Sequence, residues 1–447
     1  MPAHGNLDRE RIRRLHDAEL ERFRGDRPTS LALQERGRAH LPNGTPMSWM
    51  VSDNEQPVFI DRGHGAGFTD VDGFTYVDFN ASDLSMFCGH ANPSIVRAVA
   101  DRVERSTQFL LPTEDSVWVA EELARRFPVP LWQFTLSATQ ANVEVIRLAR
   151  AVTGREVVVL FEGHYHGHFE EGVVDMLDGR VGPMQRGLST GIAGRVRIAQ
   201  FNDPDSLAAA LAPGDVAIVL TEPAMTNGIH FLPPAAGWHD ELRSRTREHG
   251  ALLAIDETHT HVVGPRGATG LWQLDPDVVT IGKAVAGGIP LGAYGVAERF
   301  RAEFDPSGPS GEIATGGTLF GNALSAAAAR AALGEVLVPE AYAHTAALGA
   351  RLADGITASI SAVGLPWTPY RFGPRAGQWY GPEPVTGAHA HALTDRELTL
   401  LVRVWMANRG VWEALPGAGP TVPIPAVEGD VDRYLEAYAD LLRALTG

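Results

Sequence analysis

Seven short apolar runs, at residues 134–139, 157–162, 196–200, 216–222, 252–257, 278–283 and 293–297, punctuate the middle of the chain. Most are continuously hydrophobic rather than alternating, which predicts strands covered on both faces and therefore a mostly parallel sheet flanked by helices. Between them lie stretches with helical spacing, such as 142–152 and 237–249. Functional groups of such a sheet gather just past the carboxyl ends of the strands. Outside this core the rhythm changes. Residues 5–40 read as a charged amphipathic helix, and Asp70-Val71-Asp72-Gly73 carries a hairpin signal. The alanine-rich run 324–337 predicts a long helix leading out of the sheet domain, and 430–445 a final amphipathic helix. The expected organisation is α/β, in three parts. They are an N-terminal arm with a small antiparallel segment (1–70), a large seven-stranded domain (71–330) and a smaller α+β domain (331–447).

Composition narrows the functional classes. At 447 residues and 44% hydrophobic, the chain can fill a large core. No stretch reaches the roughly 18–20 apolar residues needed to span a bilayer, and the charged N-terminal residues do not resemble a leader, so a cytoplasmic enzyme is expected. A net charge of -16 repels nucleic acid and anionic lipid, leaving small molecules as the expected partners. The single cysteine, Cys88, permits no internal disulfide.

The lysine count is the most informative number in the composition. Among 38 basic residues one is lysine, Lys283. Arginine replaces lysine readily on a solvated surface, but it stays protonated and cannot supply a neutral amine. A sole surviving lysine therefore points to amine chemistry, foremost a Schiff base. Lys283 ends an apolar run and precedes the glycine-rich segment 287–292, so an apolar wall lowers its pKa and glycines admit a close ligand. Asp256, 27 residues earlier, ends another buried run. A carboxylate there suits an electron-sink cofactor, whose ring nitrogen must stay protonated. Leu136-Ser137-Ala138-Thr139-Gln140-Ala141-Asn142 reads as a strand-to-helix junction with small hydroxylated residues, and the amide N–H groups and positive potential of a helix start favour a phosphate.

With these stand Phe161-Glu162-Gly163-His164-Tyr165-His166-Gly167-His168, Glu222-Pro223 with Asn227, Asp256-Glu257, Gly282-Lys283 with Gly287-Gly288-Ile289-Pro290, and Gly316-Gly317-Thr318 with Gly321-Asn322. In this order and spacing, over about residues 40–330, they resemble the class III branch of the fold-type I pyridoxal-phosphate enzymes, most closely the glutamate-1-semialdehyde aminomutase-like group. The resemblance implies pyridoxal 5′-phosphate as cofactor, with Tyr165 stacked on its ring, Asn227 at its phenolic oxygen, Glu222 beside the imine and Thr258 under the ring. It further implies a phosphate site of Ser137, Ala138 and Thr139, completed across a homodimer by Gly317 and Thr318, with His166 behind the ring-nitrogen aspartate. Catalysis is expected from Lys283, Asp256, Tyr165 and Glu222. The family's phosphate turn usually has glycine where this chain has Ala138, and usually valine where it has Thr258.

The activity expected is transfer of an amino group between an amine or amino acid and a keto acid or aldehyde. Two alternatives stay open: a glutamate-1-semialdehyde-type 2,1-aminomutase, and a non-catalytic protein that binds through this fold. Where the aminomutase grips a substrate carboxylate with an N-terminal arginine, this chain reads Pro46-Met47-Ser48-Trp49-Met50. Trp49 then becomes a pocket wall, Asp83 a partner for a polar or cationic group, and Arg375 a grip for an acidic substrate. The histidines at 164, 166 and 168, and the set Asp256, Glu257, His259 and His261, share spacings that metal sites use, but the sequence holds no open-site pattern and no metal is expected. No Gly-x-Gly-x-x-Gly motif opens a helix, which disfavours a nicotinamide enzyme.

Overall fold

The computed structural model describes residues 7–52, 57–177, 179–227, 231–308, 311–413 and 419–447. The chain forms two compact units: one of Met1–Asn92, His344–Glu383 and Leu393–Gly447, the other of Pro93–Ala343 and Pro384–Ala392. The segment through residue 70, expected as a part of its own, thus groups with C-terminal segments. Its reason is a shared core, in which Ile12, Val77 and Phe79 pack with Leu352, Leu398 and Tyr438.

The unit of Pro93–Ala343 and Pro384–Ala392 holds the central sheet. Its strands are β1 (Leu131–Thr135), β2 (Val157–Phe161), β3 (Val196–Ala199), β4 (Val216–Thr221), β5 (Leu252–Asp256), β6 (Val278–Ile281) and β7 (Gly292–Val296). They lie in the order β1-β7-β6-β5-β4-β2-β3. Only β7 runs against its neighbours, so the carboxyl ends of the other six share one edge. Every residue of β2, β4, β5 and β6 is buried, as continuous apolar runs require.

All seven expected strands are present, though β1 ends four residues early. Ser137 accepts a hydrogen bond from the Gln140 amide at 3.3 Å and caps the helix Ala138–Thr153, so the chain turns helical where the strand was expected to continue. The alanine-rich helix runs Ala323–Ala331 and then widens into a π turn, Ala332–Val336, which carries Gly334 past the Trp118 ring.

In the other unit the expected N-terminal helix is two, Arg9–Gly25 and Pro28–Gly37, broken where Pro28 starts the second; residues 5 and 6 lie outside the described residues. The hairpin signal is realised between strands Gly67–Asp70 and Thr75–Asp78, with Asp70 accepting from the amides of Asp72 and Phe74 and Gly73 at φ +92°. Among the described residues no helix is long and apolar enough to cross a membrane.

Candidate active site

The carboxyl ends of β4, β5 and β6 are adjacent in the sheet, which brings Glu222, Asp256 and Lys283 to one rim. β1 joins the same rim through β7. Gly292, the first residue of β7, pairs with Thr135, and a Cβ there would lie 2.2 Å from the Ser137 carbonyl carbon. A Cβ on Gly282 would stand 3.0 Å from that of Ala138. Two glycines therefore let the Ser137–Thr139 turn close against the residue preceding Lys283.

Ala138 is the first residue of its helix and does not adopt positive φ. The turn thus needs none of the freedom of the glycine it replaces. Thr139 is closed over by Gly167, at φ +114°, whose Cβ would lie 2.3 Å from Thr139 Oγ1. That contact ties the Gly163–His168 loop, after β2, to the same helix start.

Lys283 is half-buried and sits at φ +52°, a conformation that costs a side-chain-bearing residue about 1–2 kcal/mol. Such strain persists only where surroundings fix it, and it concentrates at functional sites. Gly287, also left-handed, ends the short 3₁₀ turn Lys283–Ala286.

Asp256 is buried and fully engaged. His166 Nδ1 lies 2.9 Å from its Oδ2, Asn142 Nδ2 donates to the same oxygen at 2.9 Å, and the Thr258 amide donates to Oδ1 at 3.0 Å. Burial works to raise its pKa, but the His166 contact, followed by those from Thr258 and Asn142, holds it below the ordinary carboxylate value. It therefore stays anionic at neutral pH, poised to face a cation. Asn142 also donates to the His166 carbonyl at 2.8 Å, fixing the loop behind the carboxylate. His164 stacks on His166 with ring centroids 5.6 Å apart. Burial, and next the neighbouring His166, push its pKa down to about 3, so it is a neutral spacer.

Glu257 alternates to a different job. Its carboxylate accepts from Thr260 Oγ1 at 2.6 Å and from the amides of Ala268 and Thr269, securing the turn at Gly267. Glu222 is buried and accepts from the Thr226 amide at 3.1 Å and from the Thr226 hydroxyl. Burial raises its pKa, with Thr226 working in the other direction. Asn227 Nδ2 reaches the Tyr165 carbonyl at 3.4 Å, and the Tyr165 side chain is 45% exposed. Thr258 is half-buried, and its hydroxyl has no hydrogen-bond partner among the described residues.

These residues suit pyridoxal phosphate on three structural grounds. A helix start framed by close-packed glycines offers a phosphate its amides. A buried anion faces the rim, and the sole primary amine side chain stands two residues beyond the adjacent strand. Gly317 and Thr318 lie in an exposed stretch of the same unit, where the Gln108 side chain donates to the Thr318 carbonyl.

The three expected substrate residues belong to the other unit. Trp49 is 39% exposed, its Nε1 3.1 Å from Met47 Sδ. Asp83 lies on a left-handed turn at φ +55°. Arg375 is buried, with Nε donating to Thr421 Oγ1 at 3.2 Å. Sequence reasoning missed Asn142, Thr226 and His259 as parts of the rim. A polar residue at a buried helical position between Ala141 and Val145 was the available signal for Asn142; the other two become meaningful only through contacts between separate strand ends.

Residues 50–362 match the family model described as aminotransferase class-III. A glutamate-1-semialdehyde 2,1-aminomutase of Desulfitobacterium hafniense (strain DSM 10664 / DCB-2) is 32% identical over 421 residues, covering 92% of this chain and 97% of the relative. A lysine-to-alanine variant of a glutamate-1-semialdehyde-aminomutase from Pseudomonas aeruginosa PAO1, solved in complex with PMP, superposes with a TM-score of 0.92 at 38% identity, over 98% of this chain and 99% of that one. An omega-transaminase from Sphaerobacter thermophilus follows at 0.87 and 27%, over 94% and 98% of the two chains. With family model, relatives and fold in agreement, the chain belongs to the class III aminotransferase family and is a pyridoxal 5′-phosphate-dependent enzyme of the fold-type I architecture.

Proposed function

We propose that this enzyme is an aminotransferase that moves an amino group between a small amine or amino acid and a keto acid or aldehyde, with Lys283 as its essential amine. The observation that carries this is the rim itself, where the only lysine stands one strand from a buried aspartate kept anionic by His166 and Asn142. When bound, the cofactor supplies an electron-withdrawing ring that acidifies the substrate carbon bearing nitrogen.

The chain's own groups do the rest. The Asp256 carboxylate would keep a proton on the ring nitrogen by ion pairing, and Thr258 and Tyr165 would pack against the ring. Ser137, Ala138 and Thr139 would receive the phosphate at the helix start, with Thr318 of the partner subunit completing the site. Lys283 Nζ would hold the cofactor and, as the only primary amine side chain, would take the proton from the substrate carbon and return it one atom away. His166 and Asn142 orient Asp256, Asn227 would contact the phenolic oxygen, and Glu222 would lie beside the reacting nitrogen.

A homodimer is part of this reading. Phe109, Leu110, Leu111 and Leu319 are all about half or more exposed. Segments 107–111 and 318–324 are tied together by the Leu324 amide on the Thr107 carbonyl at 3.2 Å and by Gln108 on Thr318. That concentration of exposed apolar side chains beside Thr318 is what a subunit interface covers.

A second reading has its own support: the relatives at 32% and 38% identity are named as aminomutases. Against it, the N-terminal Pro46–Met50 stretch offers no arginine to grip the semialdehyde carboxylate. Product analysis separates the two. A transferase consumes more than one equivalent of amino donor per site only when a carbonyl acceptor is supplied, whereas multiple turnovers of glutamate-1-semialdehyde without any acceptor would establish the mutase.

A further inference from the structure

Behind Glu222 the rim carries two polar side chains, Thr226 and His259, to which no catalytic role has yet been given. The Thr226 hydroxyl bonds Glu222 Oε2 on one side and lies 3.3 Å from His259 Nδ1 on the other. Glu222 and Thr226 come from the turn after β4, and His259 from the turn after β5. All three are buried: Glu222 is 4% exposed, Thr226 1% and His259 2%.

A hydroxyl has one proton to donate and lone pairs to accept. With Glu222 ionised, Oγ1 donates to the carboxylate and accepts from an Nδ1–H of His259. With Glu222 protonated, the carboxyl donates to Oγ1, whose proton then turns to a bare Nδ1. The hydroxyl cannot serve both neighbours in one sense, so the two ends are coupled through it.

We propose that Glu222, Thr226 and His259 form a proton relay in which one proton is shared between the buried carboxyl and the imidazole through the Thr226 hydroxyl. The step balances internally. The Nδ1–H bond of an imidazolium breaks as a new O–H forms at Oγ1, while the original hydroxyl proton passes to Oε2. An imidazolium and a carboxylate become a neutral imidazole protonated on Nε2 and a carboxylic acid, with the total number of protons unchanged.

Charged groups from several elements surround Glu222. Glu222 is faced by His166 and Asp256 from neighbouring strand ends, and by Thr226 from its own turn. His239, on the helix Trp238–Glu248, holds the Pro223 carbonyl at 2.7 Å and so fixes the turn itself. Burial disfavours the Glu222 carboxylate, while the Thr226 hydrogen bonds and His166 favour it, and the net direction is a raised pKa. Thr226 and His259 act through Glu222 and are positioning residues. The idea deepens the transferase reading and rests on its placement of Glu222 at the reacting nitrogen.

The test uses holoenzyme and follows both kcat/KM and the cofactor absorbance band from about pH 5 to about pH 10. Thr226→Val keeps the β-branched shape but deletes the hydroxyl; His259→Gln removes the titrating ring; Thr226→Ser restores the relay. The expected result is a midpoint displaced by about one pH unit or more in both deletions. Thr226→Ser should match wild type, and the double variant should show no further displacement, since both changes cut one coupled path. Midpoints within about 0.2 unit of wild type in His259→Gln, or additive displacements in the double variant, would overturn the relay. Because His259→Gln alone decides this, failure of Thr226→Val to fold leaves the test intact. A Glu222→Gln enzyme that kept wild-type rate and titration would instead strike the placement of Glu222, a separate failure.

Discussion

The strand-end cluster around Asp256 and the turn at Ala81–Leu84 both present an acidic side chain, and they hold it by opposite means. Asp256 ends a regular parallel strand, and its carboxylate is fixed by three donors from three different segments. Strain in that region is confined to one residue with a side chain, Lys283. Asp83 instead sits within four successive non-glycine residues at positive φ, +46°, +48°, +55° and +68° for Ala81 to Leu84. A left-handed turn of this kind costs about 1–2 kcal/mol per residue, so it must be imposed from outside.

The outside constraints are visible within the same unit. The Thr421 amide bonds the Phe79 carbonyl at 2.8 Å and the Ile424 amide that of Phe87 at 2.9 Å, pinning the loop at both ends. Asp78 accepts from the Asn80 amide at 3.1 Å and pairs with His90 Nε2 at 2.8 Å, while Leu84 and Phe87 are fully buried. The comparison teaches a division between two ways of aiming a carboxylate: Asp256 rides on a regular strand end fixed by donors, whereas Asp83, alone among the three side chains proposed for substrate choice, rides on an expensive left-handed turn, Trp49 and Arg375 beginning a regular helix and a regular strand.

The sharpest way to break this division is at Lys283. Lys283→Ala should lower kcat by at least about 10⁴-fold, since it removes both the covalent tether and the proton carrier. Borohydride reduction followed by peptide mass analysis should then find no pyridoxyl group on the chain. A labelled peptide elsewhere would show that the sole lysine is not the essential amine.

Next comes Asp256→Asn, expected to cost two to three orders of magnitude in kcat, roughly the effect of leaving a buried charge pair broken. It carries a second signature in the apoprotein. The folded-state pKa of Asp256 is lowered from its ordinary 3.8, so its stabilisation is complete above the ordinary value and is lost as pH falls through the depressed one. The variant's melting temperature should therefore fall less steeply than wild type between about pH 4 and pH 2. An unchanged acid limb would mean His166 and Asn142 do not stabilise the ionised form.

Arg375→Ala probes the other region and should act more mildly, raising KM for keto acids about tenfold while that for the amino donor changes less than about twofold. The side chain is already engaged with Thr421 and lies near Tyr370. A parallel rise in both constants would assign Arg375 to the fold rather than to an acidic substrate.

How far the sequence could be read follows the same division. The seven strands were legible because each is an unbroken apolar run, and Lys283 because one residue among 38 cations cannot hide. The end of β1 was misplaced because capping by Ser137 and Gln140 is a contact made only once the helix exists. Thr226 and His259 are ordinary residues until β4 and β5 lie side by side. Nothing in Asn80-Ala81-Ser82-Asp83-Leu84 announces a left-handed turn, since none of its residues is glycine and the forces that impose it come from residues more than 300 positions later.

That turn supplies the smallest and most diagnostic effect. Ser82 is exposed, so glycine there removes the left-handed penalty without opening a cavity. Glycine also gives back about 0.5–1 kcal/mol through the freedom of the unfolded chain, so the net gain should be no more than about 1 kcal/mol, or roughly 1–2 °C in melting temperature. If the strained backbone exists to aim Asp83, the same Ser82→Gly change should loosen that aim, and discrimination among amino donors should narrow even as the protein becomes more stable. Stability and selectivity rising together would mean that the turn is merely tolerated, and that Asp83 is not what the strain is for.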